Sequence, residues 1–304
     1  MRFWPKAFPH PALVFVVLAW GLNFSVIKVI LAEIQPSVAA LVRYLVMLPI
    51  LLLATRLMKI PLKYPEGQRW RYLFAGFIAN GVYMVFFLEG MRTAGATQGA
   101  IVIATMPIWI AIFAIMAGQE KVAKHMAVGS LLCFVGVVVV ILGNGGQVEG
   151  SVGGALLVLV SAVIWGWSVS LMRPLVVQGS PYGVFALTLP GGLAALLPYG
   201  AYATWKTDWA AVAPNVWLPM AYLTIVAGAM AFSAYFKGLA DVGPARTSMV
   251  QYFIAPVAAL CAWALFAEPI SPVQFVGMAI VVAGSVIASG SLFGPAATSS
   301  QSGT

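Results

Sequence analysis

The chain has 304 residues, 62 % of them hydrophobic and only 8 % charged, with a mean hydropathy of +0.98. A soluble fold ordinarily carries about a quarter charged residues, so this chain cannot be clothed for water and its solvent is largely lipid. The net charge of +8 comes from basic residues scattered between apolar runs, the pattern of orienting loops, which argues against nucleic acid as a partner.

Arg2 and Lys6 precede an apolar run from Pro11 to Leu31. The run is longer than a secretory h-region and no small-residue cleavage site follows it, so it is expected to stay as a first helix. Further stretches long enough to cross the hydrocarbon core recur at 36–55, 72–91, 97–117, 126–144, 151–172, 182–203, 216–238, 246–267 and 271–291. Together they predict an all-α membrane protein with ten transmembrane helices. Their continuous apolarity excludes barrel strands, which alternate. The connections are short and rich in turn signals, among them Ile34-Gln35-Pro36, Tyr64-Pro65-Glu66-Gly67, Asn144-Gly145-Gly146 and Gln178-Gly179-Ser180-Pro181. The small, polar tail at 292–304 is expected to be disordered.

Basic residues set the orientation. With the N-terminus inside, twelve of the sixteen Lys and Arg fall on cytoplasmic segments, while Lys28, Arg92 and Lys206 mark outer ends. Both termini are therefore expected in the cytoplasm. The two halves, 11–144 and 151–291, repeat one another: Trp20-Gly21 recurs as Trp165-Gly166 and Pro36 as Pro181, at an offset of 145. Glu89-Gly90, Gly95, Glu120, Gly129 and Gly136 align with Lys237-Gly238, Gly243, Glu268, Gly277 and Gly284, at an offset of 148. Pro107 and Pro256 differ by 149. Five spans are an odd number, so the second half must enter from the opposite side, which predicts two inverted five-helix repeats.

Little in the chain supports covalent chemistry. Cys133 and Cys261 each lie alone in an apolar run, and His10 and His125 stand at segment edges. No metal or haem site, cofactor or catalytic residue is expected, because the spans hold no paired acids and no Ser–Lys or Ser–His spacing.

Trp20-Gly21-Leu22-Asn23-Phe24 with Lys28, then Arg43-Tyr44, the run from Gly90 to Pro107, and the glycines from Gly129 to Gly143, echoed from Gly277 to Gly284, form a composite pattern. It resembles the EamA-type transporters of the drug/metabolite transporter superfamily, whose chains carry two five-helix EamA repeats, and the resemblance covers 11–291. Within that family the chain is similar to YddG-type bacterial exporters of aromatic and other neutral amino acids. The resemblance implies a multi-pass transporter of the bacterial inner (plasma) membrane. A carrier of drugs, nucleobases or sugar derivatives on the same fold is the alternative. A channel would need a wet path and a selectivity ring, and the sequence shows neither. The expected partners are a small-molecule substrate, amino acids or related metabolites, and membrane lipid; the chain is expected to act as a monomer.

A transport path requires polar or aromatic residues sharing a helical face inside apolar spans. Candidates are Trp20 and Asn23 in the first span, Asn80, Tyr83 and Phe87 in the third, and Gln98, Thr105 and Trp109 in the fourth. The sixth offers Trp165 and Ser168, and the ninth Gln251 and Tyr252. The same residue types also join helices or form interfacial belts. Pro107 and Pro256 break backbone bonds inside spans, as hinges or as packing kinks. Charged gating candidates are Arg43, Glu89, Arg92 and Lys237. Arg43 is the deepest, either an anchor to helix-end carbonyls or a contact to substrate or gate. No carboxylate lies near a midplane, which points to facilitated export or exchange without a buried proton relay. Cysteine labelling should find the Gln147–Glu149 loop outside the cell; labelling only from the cytoplasm would overturn the orientation.

Overall fold

The computed structural model describes residues 10–94, 96–121, 124–143, 151–266 and 270–288. The tail at 292–304 and the Gln147–Glu149 loop lie outside the described residues. Among those described there are helices and no strands: α1 Pro11–Leu31, α2 Pro36–Leu57, α3 Arg69–Thr93, α4 Ala96–Ile103, α5 Met106–Met116 and α6 Lys124–Leu142 in the first half. α7 Val152–Gln178, α8 Pro181–Lys206, α9 Pro214–Val242, α10 Pro244–Met249, α11 Ile254–Phe266 and α12 Pro272–Ala288 follow in the second.

The starts are written locally. Pro11, Pro36, Pro181, Pro244 and Pro272 each open a helix, where a missing N–H costs nothing and φ is already helical. Ser151 caps α7, its Oγ accepting from the Gly154 amide at 2.9 Å. At the start of α12, Ser271 Oγ accepts from the Gln274 amide at 3.2 Å and Gln274 Oε1 accepts from the Ser271 amide at 2.9 Å, a reciprocal capping box. Between α9 and α10 the chain turns through Gly243 at φ +86, a conformation that disfavours any side chain.

Seven described stretches are long and apolar enough to cross a membrane, coinciding with α2, α3, α6, α7, α8, α9 and the stretch Pro244–Leu265. Three shorter apolar helices, Pro11–Asn23 within α1, Ile101–Met116 and Pro272–Ala288, stand where the first, fourth and tenth spans are expected. The chain is a multi-pass membrane protein, all-helical among its described residues. Several helices overrun their expected ends; α7 continues to Gln178 through Pro174, because the apolar signal fades before the hydrogen-bond ladder does.

Several spans are not continuous α-helix. α3 and α9 each contain a six-residue π turn, Phe77–Val82 and Ile225–Met230. Their first residues stand 148 positions apart, the offset read from the glycines. Pro107 sits in the first turn of α5, after a break from α4, and Pro256 in the first turn of α11, after the 3-10 turn Val250–Phe253. Both breaks fall where a proline ring would collide with the preceding turn of an uninterrupted helix.

α6 and α12 pack antiparallel at backbone distance. A Cβ on Gly136 would lie 2.7 Å from the Val281 nitrogen, and one on Gly277 2.7 Å from the Val140 nitrogen. Gly129 and Gly284 meet the facing backbone in the same way. Small residues allow this approach, and dispersion across it holds membrane helices together where no hydrophobic force separates protein from lipid. Gly136→Val is expected to lose about 1–3 kcal/mol through overpacking, seen as a lower melting temperature in detergent. Gly153→Val, where no atom lies within 4 Å of the added carbon, should melt like wild type.

Candidate functional site

α1, α3, α7, α8 and α9 converge on a packed aromatic centre. Trp20 of α1 lies 5.2 Å from Phe232 and 5.4 Å from Tyr235, centroid to centroid. Trp165 of α7 lies 5.0 Å from Tyr83, 6.0 Å from Phe232 and 5.7 Å from Tyr235. Phe87 stacks on Tyr83 at 5.8 Å, and Phe185 on Phe232 at 5.6 Å. These tilted and edge-on contacts suit ring quadrupoles and add to burial. Trp165 is only 3 % exposed, buried among these rings.

The π turn of α9 supplies the polar edge of this centre. A wider turn leaves its carbonyls turned out of the usual ladder. Trp20 Nε1 donates to the Ala227 carbonyl at 3.0 Å, and Arg43 Nη2 reaches the same oxygen at 3.4 Å. From the segment after α10, Gln251 Nε2 donates to the Tyr235 hydroxyl at 3.1 Å. Asn23 Oδ1, one helical turn beyond Trp20, is buried without a partner. The Trp165 indole N–H stands beside the Tyr235 hydroxyl but outside hydrogen-bonding geometry.

Other candidates have different surroundings. Asn80 is fully buried in the π turn of α3 and donates to Thr188 Oγ1 of α8 at 3.5 Å, away from Tyr83 and Phe87. Ser168 is closed onto the Trp165 carbonyl at 2.8 Å within its own helix. Thr105, in the break before α5, donates to the Val102 carbonyl at 2.6 Å and accepts from Trp109 Nε1 at 3.2 Å. Trp109 flanks the central core. Tyr252 packs with Cys133 and Val281 beside the α6–α12 seam, because the 3-10 turn sends it and Gln251 to opposite sides. Gln98 is on α4, and its side chain lies outside the described residues.

Two charged groups sit at repeat-related helix ends. Glu89 pairs with Arg92 at 3.2 Å and accepts from the Tyr199 hydroxyl at 2.9 Å. Lys237 pairs with Asp241 at 2.9 Å, and His10 Nε2 reaches the same carboxylate oxygen at 3.2 Å. A separate groove of about 550 Å³, lined by Arg71, Phe74, Phe113, Gln119 and Trp167, lies on the face of α7 opposite Trp165. It is distinct from the aromatic centre. Phe232, Tyr235 and Phe236 escaped the reading of the sequence, although their i, i+3, i+4 spacing marks one face of α9.

A multi-pass helical protein with interrupted spans around a polar-aromatic centre belongs, as a class, among membrane transporters. The chain belongs to the EamA-like transporter family, whose model matches it twice, over residues 9–142 and 152–290. Its relatives include the uncharacterized transporter YyaM of Bacillus subtilis (strain 168), 23 % identical over 89 % of this chain and 90 % of that protein. The uncharacterized inner membrane transporter YedA of Escherichia coli (strain K12) is 27 % identical over 89 % of this chain and 87 % of its own. One solved crystal structure shares the fold with a TM-score of 0.77 over 91 % of this chain and 95 % of that chain, at 18 % identity.

Trp165→Ala is expected to weaken apparent affinity for an aromatic substrate several-fold, since one ring contact is worth about 1 kcal/mol, and more than for an aliphatic one. Trp217, 46 % exposed beside Trp209, is the control. Equal losses in transport assays of Trp165→Ala and Trp217→Ala would mean that Trp165 only packs helices.

Proposed function

We propose that the chain exports small metabolites, foremost aromatic and other neutral amino acids, across the bacterial inner membrane by alternating access. The ten helices form two inverted five-helix halves, 11–144 and 151–291, related by a pseudo-two-fold axis in the membrane plane, with both termini cytoplasmic. The matched π turns, the antiparallel α6–α12 contact and the double family match support this architecture.

The aromatic centre carries the reading. Trp20 and Tyr83 of one half meet Trp165, Phe232 and Tyr235 of the other, so rocking the halves apart breaks ring contacts that an aromatic substrate can replace. Asn23 and Gln251 orient the substrate's polar end, and Pro107 and Pro256 serve as hinges. The Glu89–Arg92 and Lys237–Asp241 pairs close opposite mouths of the path. The protein works as a monomer in lipid, without a cofactor and without a buried carboxylate relay, so the substrate gradient drives flux.

Purified protein in liposomes should show saturable counterflow of aromatic amino acids over nucleobases and sugars, with or without a pH gradient. Glu89→Gln should change the rate only modestly. Flux that demanded a proton gradient and vanished in Glu89→Gln would end the facilitated reading; counterflow confined to nucleobases or sugars would replace the substrate class.

A further inference from the structure

Arg43 is the buried charge that the packing leaves unanswered. It lies within α2 and is 8 % exposed. A guanidinium has five N–H donors and no acceptor. Among the described residues its one hydrogen bond is the 3.4 Å contact from Nη2 to the Ala227 carbonyl, and Nε has no partner. The Tyr44 and Phe232 rings lie 5.8 Å and 5.7 Å from the guanidinium carbon, and Gly228 borders Nε. Among the described residues the three ion pairs join His10 or Lys237 to Asp241, and Arg92 to Glu89. None involves Arg43. An isolated charge in such surroundings is costly unless an opposite charge meets it.

The same molecule shows what an anchoring arginine looks like. Arg173 Nη1 donates to the Leu239 and Ala240 carbonyls at 2.7 Å and 2.9 Å, closing the end of α9. Arg43 makes no such closure. Its repeat counterpart, 145 positions on, is Thr188, whose hydroxyl donates to the Phe185 carbonyl at 2.8 Å and accepts from Asn80. The Thr188 hydroxyl is therefore satisfied at this position and carries no charge, whereas the Arg43 guanidinium is charged and mostly unmet. The unsatisfied side borders the aromatic centre: Arg43 shares the Ala227 oxygen with Trp20 and lies over the Phe232 ring. The Tyr44 hydroxyl beside it is also buried without a partner.

We infer that Arg43 binds the carboxylate of the transported substrate, with the Tyr44 hydroxyl as a second donor and the substrate's apolar or aromatic body among Trp20, Phe232 and Trp165. The assignment rests on the transport reading for the ligand's identity as cargo. One arginine neutralises one charge, which selects a monocarboxylate or a zwitterion over a phosphate dianion. Because Thr188 carries no charge, the carboxylate end faces α2 and α9 throughout, and the substrate enters with a fixed polarity.

The test uses full-length protein and ligands matched in shape: 3-phenylpropionate against 3-phenylpropanamide, and phenylalanine against phenylalaninamide, by calorimetry and thermal shift. Wild type should bind each carboxylate at least tenfold tighter than its amide, as a charged hydrogen-bonded pair gives. Arg43→Gln should abolish that preference; Arg43→Lys, which keeps the charge and is the better-tolerated change, should retain part of it. Amides binding within twofold of the carboxylates, no binding of any carboxylate, or an undiminished preference in Arg43→Gln would overturn the assignment. Carboxylate preference without counterflow would uphold Arg43 as an anion site and refute transport. Equal counterflow of acid and amide would uphold transport and overturn Arg43.

Discussion

In hydrocarbon, a backbone carbonyl released from its helix must be met by another part of the protein, because no water is there to meet it. The centre of this molecule follows from that constraint. Trp20 and Arg43 converge from two other helices on the Ala227 carbonyl, within the π turn of α9. The equivalent turn in α3 places Asn80 against Thr188. Each irregularity thereby becomes a junction that ties a helix of one half to a helix of the other.

The two junctions occupy matching places but differ in chemistry. A duplicated fold can keep its backbone symmetric while its side chains diverge, since backbone packing is set by small residues and turns whereas the path has to discriminate. The glycine seam between α6 and α12 has stayed nearly symmetric. Arg43 and Thr188, Glu89 and Lys237 have not. Function is to be sought where the halves disagree.

Much of the architecture could be read from hydropathy and punctuation. The apolar runs located the helices to within a few residues, and the proline positions anticipated the breaks before α5 and α11. The Glu89–Arg92 and Lys237–Asp241 pairs have the i, i+3 and i, i+4 spacing that lets helical neighbours meet. What resisted reading was the azimuth of residues beside irregular turns. Asn80, Tyr83 and Phe87 share a face at 100° per residue, but the π turn adds a residue and swings Asn80 toward α8. Gln251 and Tyr252 diverge through a 3-10 turn that no local signal announced. The aromatics of α9 were hidden for a different reason: in so apolar a chain a Phe or Tyr looks like ordinary core. Contacts such as Tyr199 to Glu89 and His10 to Asp241 join residues far apart in sequence, beyond the reach of periodicity.

The α6–α12 seam has a further geometric property. Cys133 and Val281, 148 positions apart, touch each other, with Cys133 Sγ donating to the Val281 carbonyl at 3.4 Å. A point that meets its own counterpart makes the contact isologous, as at the axis of a two-fold dimer. On this seam Gly129 borders Gly284 and Gly136 borders Gly277, so that each glycine faces the counterpart of the other.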